Sequence, residues 1–213
     1  MNHKYQVEVG TGFGTGNIDY QNVAVNGKII STAGRYKNEL KGKFANISER
    51  TDDTENTFGL NNKLKYEITP DDYAFGELEY VNNKVAGIDR RTSESVGYGR
   101  NLVKNDDLTI AAEAAVGGRQ SNYSAGLQDE SSFLGKLGTM IDWEFYDNVT
   151  LSNETYMAFT SDNTQTVSDT SVKTYVYDNV YLKGGFSVEN NDNAPTGFKK
   201  TDTVSSVNVG YDF

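Results

Sequence analysis

The sequence predicts an all-β fold: a closed antiparallel up-and-down transmembrane β-barrel of about 12 strands, forming one domain over residues 1–213. Three observations carry that prediction. Apolar and polar residues alternate along most of the chain, the period of a strand with two unlike faces. The connections alternate between tight turns and longer loops, as they do in outer-membrane barrels. Aromatic side chains recur in two rows on the apolar faces.

Turn signals divide the chain into strands at roughly 4–14, 18–32, 35–48, 55–68, 72–82, 87–102, 107–119, 128–145, 148–160, 166–177, 179–190 and 199–213. Within them one face is apolar. Val149, Leu151, Met157 and Phe159 oppose Thr150, Ser152, Glu154 and Tyr156, and Val180, Leu182, Phe186 and Val188 oppose Tyr181, Lys183, Ser187 and Glu189. Leu108 to Val116 is Ala-rich but also fits period 2. Thr32-Ala33-Gly34, Thr69-Pro70-Asp71-Asp72, Lys104-Asn105-Asp106-Asp107, Tyr146-Asp147-Asn148 and Tyr177-Asp178-Asn179 are built from residues that close turns at little steric cost. The other ends carry Ser48–Glu55, Gly117–Gln128, Thr160–Gln165 and Asn190–Lys200, mostly longer and acidic or Gly-rich.

Phe13, Phe44, Phe58, Phe133, Phe159 and Phe186 fall toward the long-loop ends, and Tyr36, Tyr66, Trp143, Phe145, Tyr211 and Phe213 toward the tight-turn ends. Eight to ten residues separate the rows on one strand. At about 3.3 Å per residue and a tilt of about 45°, that spans roughly 19–23 Å, close to the ~25 Å apolar band of such barrels. The two rows read as aromatic girdles.

Composition narrows the function. The chain has 14 Tyr, 10 Phe, 2 Pro and no Cys, with a net charge of -10. Its acidity, without a basic cluster, excludes nucleic acid as a natural partner. Absent Cys removes thiolate chemistry and Cys-ligated zinc. The mean hydropathy of -0.62 averages two faces that meet different solvents, so it does not oppose a lipid-facing exterior.

Turned inward, the polar faces place about eleven charges of each sign in the lumen: Glu8, Lys28, Lys37, Glu39, Lys41, Lys43, Lys63, Lys65, Glu67, Glu77, Glu79, Arg91, Glu113, Arg119, Lys136, Asp142, Glu144, Glu154, Lys173, Lys183, Glu189 and Asp212. Twelve strands lie between the filled eight-stranded barrel and the wide sixteen-stranded channel. Ala111, Ala115 and Gly117 beside Ser93, Ser95 and Gly97 are small, and are expected to leave space for a narrow channel. Lys37, Lys41, Lys63 and Lys65 form a basic ladder beside Glu77 and Glu79, a segregation expected to set a transverse field. The pore reading is thus a small, weakly charge-selective diffusion channel for ions or small polar solutes. Its alternative is a closed, stress-related structural or adhesion barrel without transport, whose acidic loops meet cations or a partner and whose inward charges pair because buried charges must.

Catalytic and metal readings find little support. His3, the one His, sits at the edge of the first strand. Asp142 and Glu144 could in principle serve glycoside hydrolysis, but read better as partners for Lys136 and its neighbours. Gly10-Thr11-Gly12-Phe13-Gly14 lacks the helix a dinucleotide fingerprint needs. Asp52, Asp53 and Glu55 have no EF-hand spacing and read as a solvated loop. No enzyme activity, cofactor or metal is expected.

The chain ends in an alternating strand, Val207, Val209, Tyr211 and Phe213, similar to the signal that delivers bacterial outer-membrane proteins to their assembly machinery. Pro195-Thr196-Gly197-Phe198-Lys199-Lys200-Thr201-Asp202-Thr203, running into Val209-Gly210-Tyr211-Asp212-Phe213, resembles the closing hairpin of the YdiY-like "salt-induced outer membrane protein" family, a domain of unknown function. Gly14-Thr15-Gly16-Asn17 with Asp19 resembles its first loop, Ile18 departing from the usual Thr. Val85-Ala86-Gly87-Ile88-Asp89-Arg90-Arg91 resembles its central segment, and Trp143 with Asp147-Asn148 its Trp…Asp-Asn stretch. The resemblance implies a barrel in the bacterial outer membrane, in contact with the lipid bilayer and lipopolysaccharide, and expected to be a monomer. It implies no chemistry. Met1-Asn2-His3-Lys4 leads straight into a strand without an apolar h-region, as in a mature chain whose signal peptide has been removed.

Overall fold

The computed structural model describes all residues except 17–19, 50–53, 85–86, 124–128, 162 and 195–198. The described residues form twelve strands: β1 Asn2–Thr15, β2 Tyr20–Ala33, β3 Tyr36–Glu49, β4 Thr54–Glu67, β5 Asp72–Asn83, β6 Ile88–Lys104, β7 Leu108–Tyr123, β8 Glu130–Tyr146, β9 Val149–Phe159, β10 Thr164–Tyr177, β11 Val180–Asn191 and β12 Thr201–Asp212. Each pairs antiparallel with its sequence neighbours, and β1 pairs with β12 from Gln6↔Asp212 to Thr15↔Thr203, closing the barrel. Closure leaves no edge, which the hydrocarbon of a bilayer requires because it offers unpaired backbone groups nothing to bond.

The tight turns are held by their own side chains. The Asn105 carboxamide oxygen accepts the N–H groups of Asp107 and Leu108, and the Thr69 hydroxyl oxygen accepts those of Asp71 and Asp72. At Asn148 φ is 64°, a left-handed conformation that Asn tolerates better than most residues. Two expected loops differ. Of the expected loop Gly117–Gln128, residues up to Tyr123 are strand, because β7 and β6 stay paired through Ile88↔Tyr123; 124–128 lie outside the described residues. Thr160–Gln165 is a short turn, closed by Thr160 N–H donating to the Asn163 carbonyl at 2.9 Å.

Pleat parity sorts the side chains cleanly. Val7, Val9, Phe13, Val23, Val25, Leu60, Leu64, Leu78, Val96, Val116, Leu137, Leu182, Val207 and Val209 are exposed on the outside, where lipid rather than water suits them. All twelve girdle residues lie on this face and are exposed. They form cross-strand and same-strand ring contacts, Tyr36 with Tyr66 at 5.1 Å and Trp143 with Phe145 at 5.4 Å. Tyr5 and Tyr98, which the two expected rows omit, are also exposed there.

Candidate functional site

The inner face carries the expected charges and adds Asp169, whose partners Glu154 and Ser187 also point inward. Their arrangement divides the lumen into three zones.

A filled zone lies against β4 to β8. Glu113 accepts from Lys65 Nζ at 3.0 Å and from the Tyr73 hydroxyl at 2.8 Å, and it also binds Lys63. Lys136 Nζ reaches Glu77 at 2.9 Å, and Asn61 donates to the same carboxylate at 2.8 Å. Lys63, Glu77 and Glu113 are nearly inaccessible. Lys63 and Lys65 lie over the Phe75 and Tyr73 rings at 4.3 and 4.4 Å. The residual cavity here is about 20 Å³, room for about one water.

Two expectations are corrected by this zone. The small residues of β6 and β7 do not leave open space. Gly97 and Gly99 seat aromatic rings, since a Cβ on Gly97 would come 2.5 Å from Phe75 and one on Gly99 2.6 Å from the Tyr73 hydroxyl, and Gly117 lies against the backbone of Glu94 and Ser95. Tyr73, Phe75 and Ala115 form a buried cluster. Nor are Lys63 and Lys65 a ladder segregated from acids, because Glu113 on β7, three strands away, reaches both. Lys136 pairs with Glu77, whereas Asp142 accepts from the Ser152 hydroxyl at 2.6 Å. Asp142 and Glu144 are exposed at the tight-turn rim.

A second packed zone lies toward the long loops. Ala45, Ile47, Leu134, Ala158 and Val167 are buried there beside Arg91, Arg119 and Gln165. Arg119 donates to Ser93 at 3.2 Å and to Gln165 at 2.9 Å, and Gln165 donates to Glu189 at 2.6 Å. Inward apolar side chains such as Ile47 and Leu134 escape a reading that assigns the whole inner face to polar residues.

The third zone is wet. Lys41 Nζ lies 3.1 Å from Glu154 and 3.0 Å from Glu39, and Lys28 lies 3.3 Å from Glu39. β3 and β9 are six places apart in the ring of twelve, so Lys41–Glu154 spans the full lumen. Its side chains are nevertheless 39% and 46% exposed. Lys37, Lys43, Glu67 and Asp169 are exposed in the same interior. Toward β12, Lys183 binds Glu8 at 2.7 Å, the buried Tyr181 hydroxyl donates to Glu8 at 2.9 Å, and Lys173 lies 3.8 Å from Asp212. Glu79 and Glu189 face inward half-buried. His3 bonds Ser31 at the turn-end edge.

The chain matches the family described as "Protein of unknown function, DUF481" over residues 7–213. It belongs to that family. The family resemblance is thereby borne out, although Asn17, Ile18, Asp19, Val85, Ala86 and Pro195 to Phe198 of its motifs lie outside the described residues, as do Asp52 and Asp53. "Uncharacterized protein YdiY" of Escherichia coli (strain K12) is 21% identical over 173 residues, 81% of this chain and 68% of the relative. Among solved structures, the NanC porin matches with a TM-score of 0.64 at 7% identity, over 96% of this chain and 98% of its own. The translocator domain of the autotransporter NalP from Neisseria meningitidis matches at 0.54 and 12% identity, over 100% of this chain and 89% of that one. At such identities the likeness is one of fold. Because a porin and a translocator domain share it, the function of this DUF481 barrel has to be argued from its lumen.

Proposed function

We propose that this protein is an outer-membrane barrel acting as a narrow, weakly charge-selective diffusion channel for ions or small polar solutes, with no enzymatic role. The observation that carries the reading is the Lys41–Glu154 bridge. It crosses the whole lumen, yet both side chains remain partly exposed. A bridge in a packed plug would be dry, and a partly exposed ion pair costs less to open than a fully buried one. The apolar, belted exterior supports placement in a bilayer, and the alternating C-terminal strand supports delivery by the outer-membrane assembly machinery. The NanC likeness is compatible with a pore.

One observation favours a second reading, a closed structural barrel: the packed layer of Ile47, Leu134, Ala158 and Val167 toward the long loops. Planar-bilayer recording of the purified, refolded protein separates the two. Discrete conductance steps in KCl support the channel. Silence across several hundred millivolts, with folding verified, sinks it.

A further inference from the structure

The wet zone has two walls of opposite charge, and its occupant can be read from them. On β2 and β3, Lys28, Lys37, Lys41 and Lys43 face inward around one carboxylate, Glu39, which Lys28 and Lys41 share. Facing them on β9 and β10 are Glu154 and Asp169, which are cross-strand neighbours. Lys173, two inward positions along β10 from Asp169, is turned to Asp212 and Tyr175. The walls touch at Lys41–Glu154, which fixes their separation at that level to the reach of two side chains.

A solute that parts this bridge strands a cation on one wall and an anion on the other. A single positive charge satisfies Glu154 but leaves Lys41 sharing the one Glu39 carboxylate with Lys28, and a single negative charge satisfies Lys41 but leaves Glu154 without its ion-pair partner. A neutral solute compensates neither. Only a molecule carrying both charges replaces both lost contacts, and its dipole must lie across the lumen with the cationic end toward β9. We propose that the space between Lys41 and Glu154 is a binding site for small zwitterions that carry an ammonium and a carboxylate group. The site rests on the solvated lumen of the channel reading, but it needs access from one end only, so the two can fail separately.

The test uses three probes of nearly equal size: 4-aminobutyrate, butyrate and n-butylammonium. Each is titrated calorimetrically into the full chain refolded in detergent. Binding of 4-aminobutyrate about two- to five-fold tighter than either single-charge probe is expected, the discrimination that one solvated ion pair supplies. Lys41→Gln and Glu154→Gln should each abolish the preference, and the charge-swapped double variant Lys41→Glu/Glu154→Lys should restore it. Heat-modifiable gel mobility verifies that each variant folds, and Asp169→Asn, expected to weaken the preference, serves if a Lys41 or Glu154 variant does not. Equal binding of the three probes, binding of none, or a preference that survives the single substitutions overturns the proposal. KCl conductance without zwitterion preference refutes the site and keeps the channel. Preference without conductance refutes the channel and keeps the site.

Discussion

Gly97 on β6 and Phe75 on β5 are fitted to each other: a Cβ built on Gly97 would lie 2.5 Å from the Phe75 ring and 2.8 Å from the Ala115 side chain. The backbone of β6 is thus one wall of an aromatic socket inside the barrel. Gly99 does the same for Tyr73, and Gly210 for Tyr181, whose hydroxyl would lie 2.5 Å from an added Cβ. Gly97→Val should therefore destabilise the barrel by about 1–3 kcal/mol, the cost of forcing extra methyl groups into a filled interior. Gly76, on β5, faces outward with nothing within 4 Å of an added Cβ, so Gly76→Ala should be close to neutral. Urea unfolding in lipid vesicles, followed by Trp143 fluorescence, measures both.

Glu113 is the hub of the filled zone, shared by Lys63, Lys65 and the Tyr73 hydroxyl. Two lysines held by one carboxylate have no other ion-pair partner among the described residues. Glu113→Gln leaves both charges in a dry site and should cost about 3–5 kcal/mol. Removing all three charges together, as Lys63→Met/Lys65→Met/Glu113→Leu, should recover most of that loss, because an apolar trio of similar volume removes the desolvation penalty with the attraction. If the triple variant is no more stable than Glu113→Gln in the same unfolding measurement, the hub does not work through charge.

These two cases show which parts of the molecule were legible in the sequence. Strand existence, number and facing follow from period 2 and turn chemistry, both local, so β3 and β9 were readable one strand at a time. What Lys41 or Lys63 meets across the lumen is not local. It depends on barrel circumference and strand tilt, which bring β3 opposite β9 and β4 within reach of β7. A ladder that looked segregated along β3 and β4 is thus neutralised by Glu113 and Glu154 from distant strands. The expected acids beside the ladder, Glu77 and Glu79, are not what Lys41 meets: it meets Glu154 and Glu39. Small inward residues were equally ambiguous, because Gly97 and Ala115 mark either a gap or a socket until Tyr73 and Phe75 are placed.

The outward face gives a depth-dependent prediction. Leu137 lies between Phe133 and Trp143 on β8 and is exposed outside, and Val176 lies at the tight-turn end of β10. In a bilayer, Leu137→Arg should cost about 2–4 kcal/mol, as for a cation near the midplane, and Val176→Arg about 0–1 kcal/mol. Refolding equilibria in vesicles measure both. Equal costs would contradict the placement of the apolar band between the two girdles.

Ion preference should separate the two sets of lysines. On the channel reading, Lys41 and Lys43 face the more accessible part of the lumen, so Lys41→Gln and Lys43→Gln each remove a cation from the proposed path and leave Glu154 and Asp169 opposite. The reversal potential in a KCl gradient should move toward cations, and further in the double variant. Lys63 and Lys65 are bound to Glu113 and lie over the rings of Phe75 and Tyr73 in the filled zone, outside the path expected for ions. Lys65→Gln leaves Lys63 on Glu113, so stability should fall while the reversal potential stays at the wild-type value. The sign follows from position: an accessible charge acts on the permeating ion, whereas a buried one acts on folding. A Lys65→Gln shift as large as that of Lys41→Gln would mean that ions pass on the β4 side, and the wet zone would have to be redrawn there.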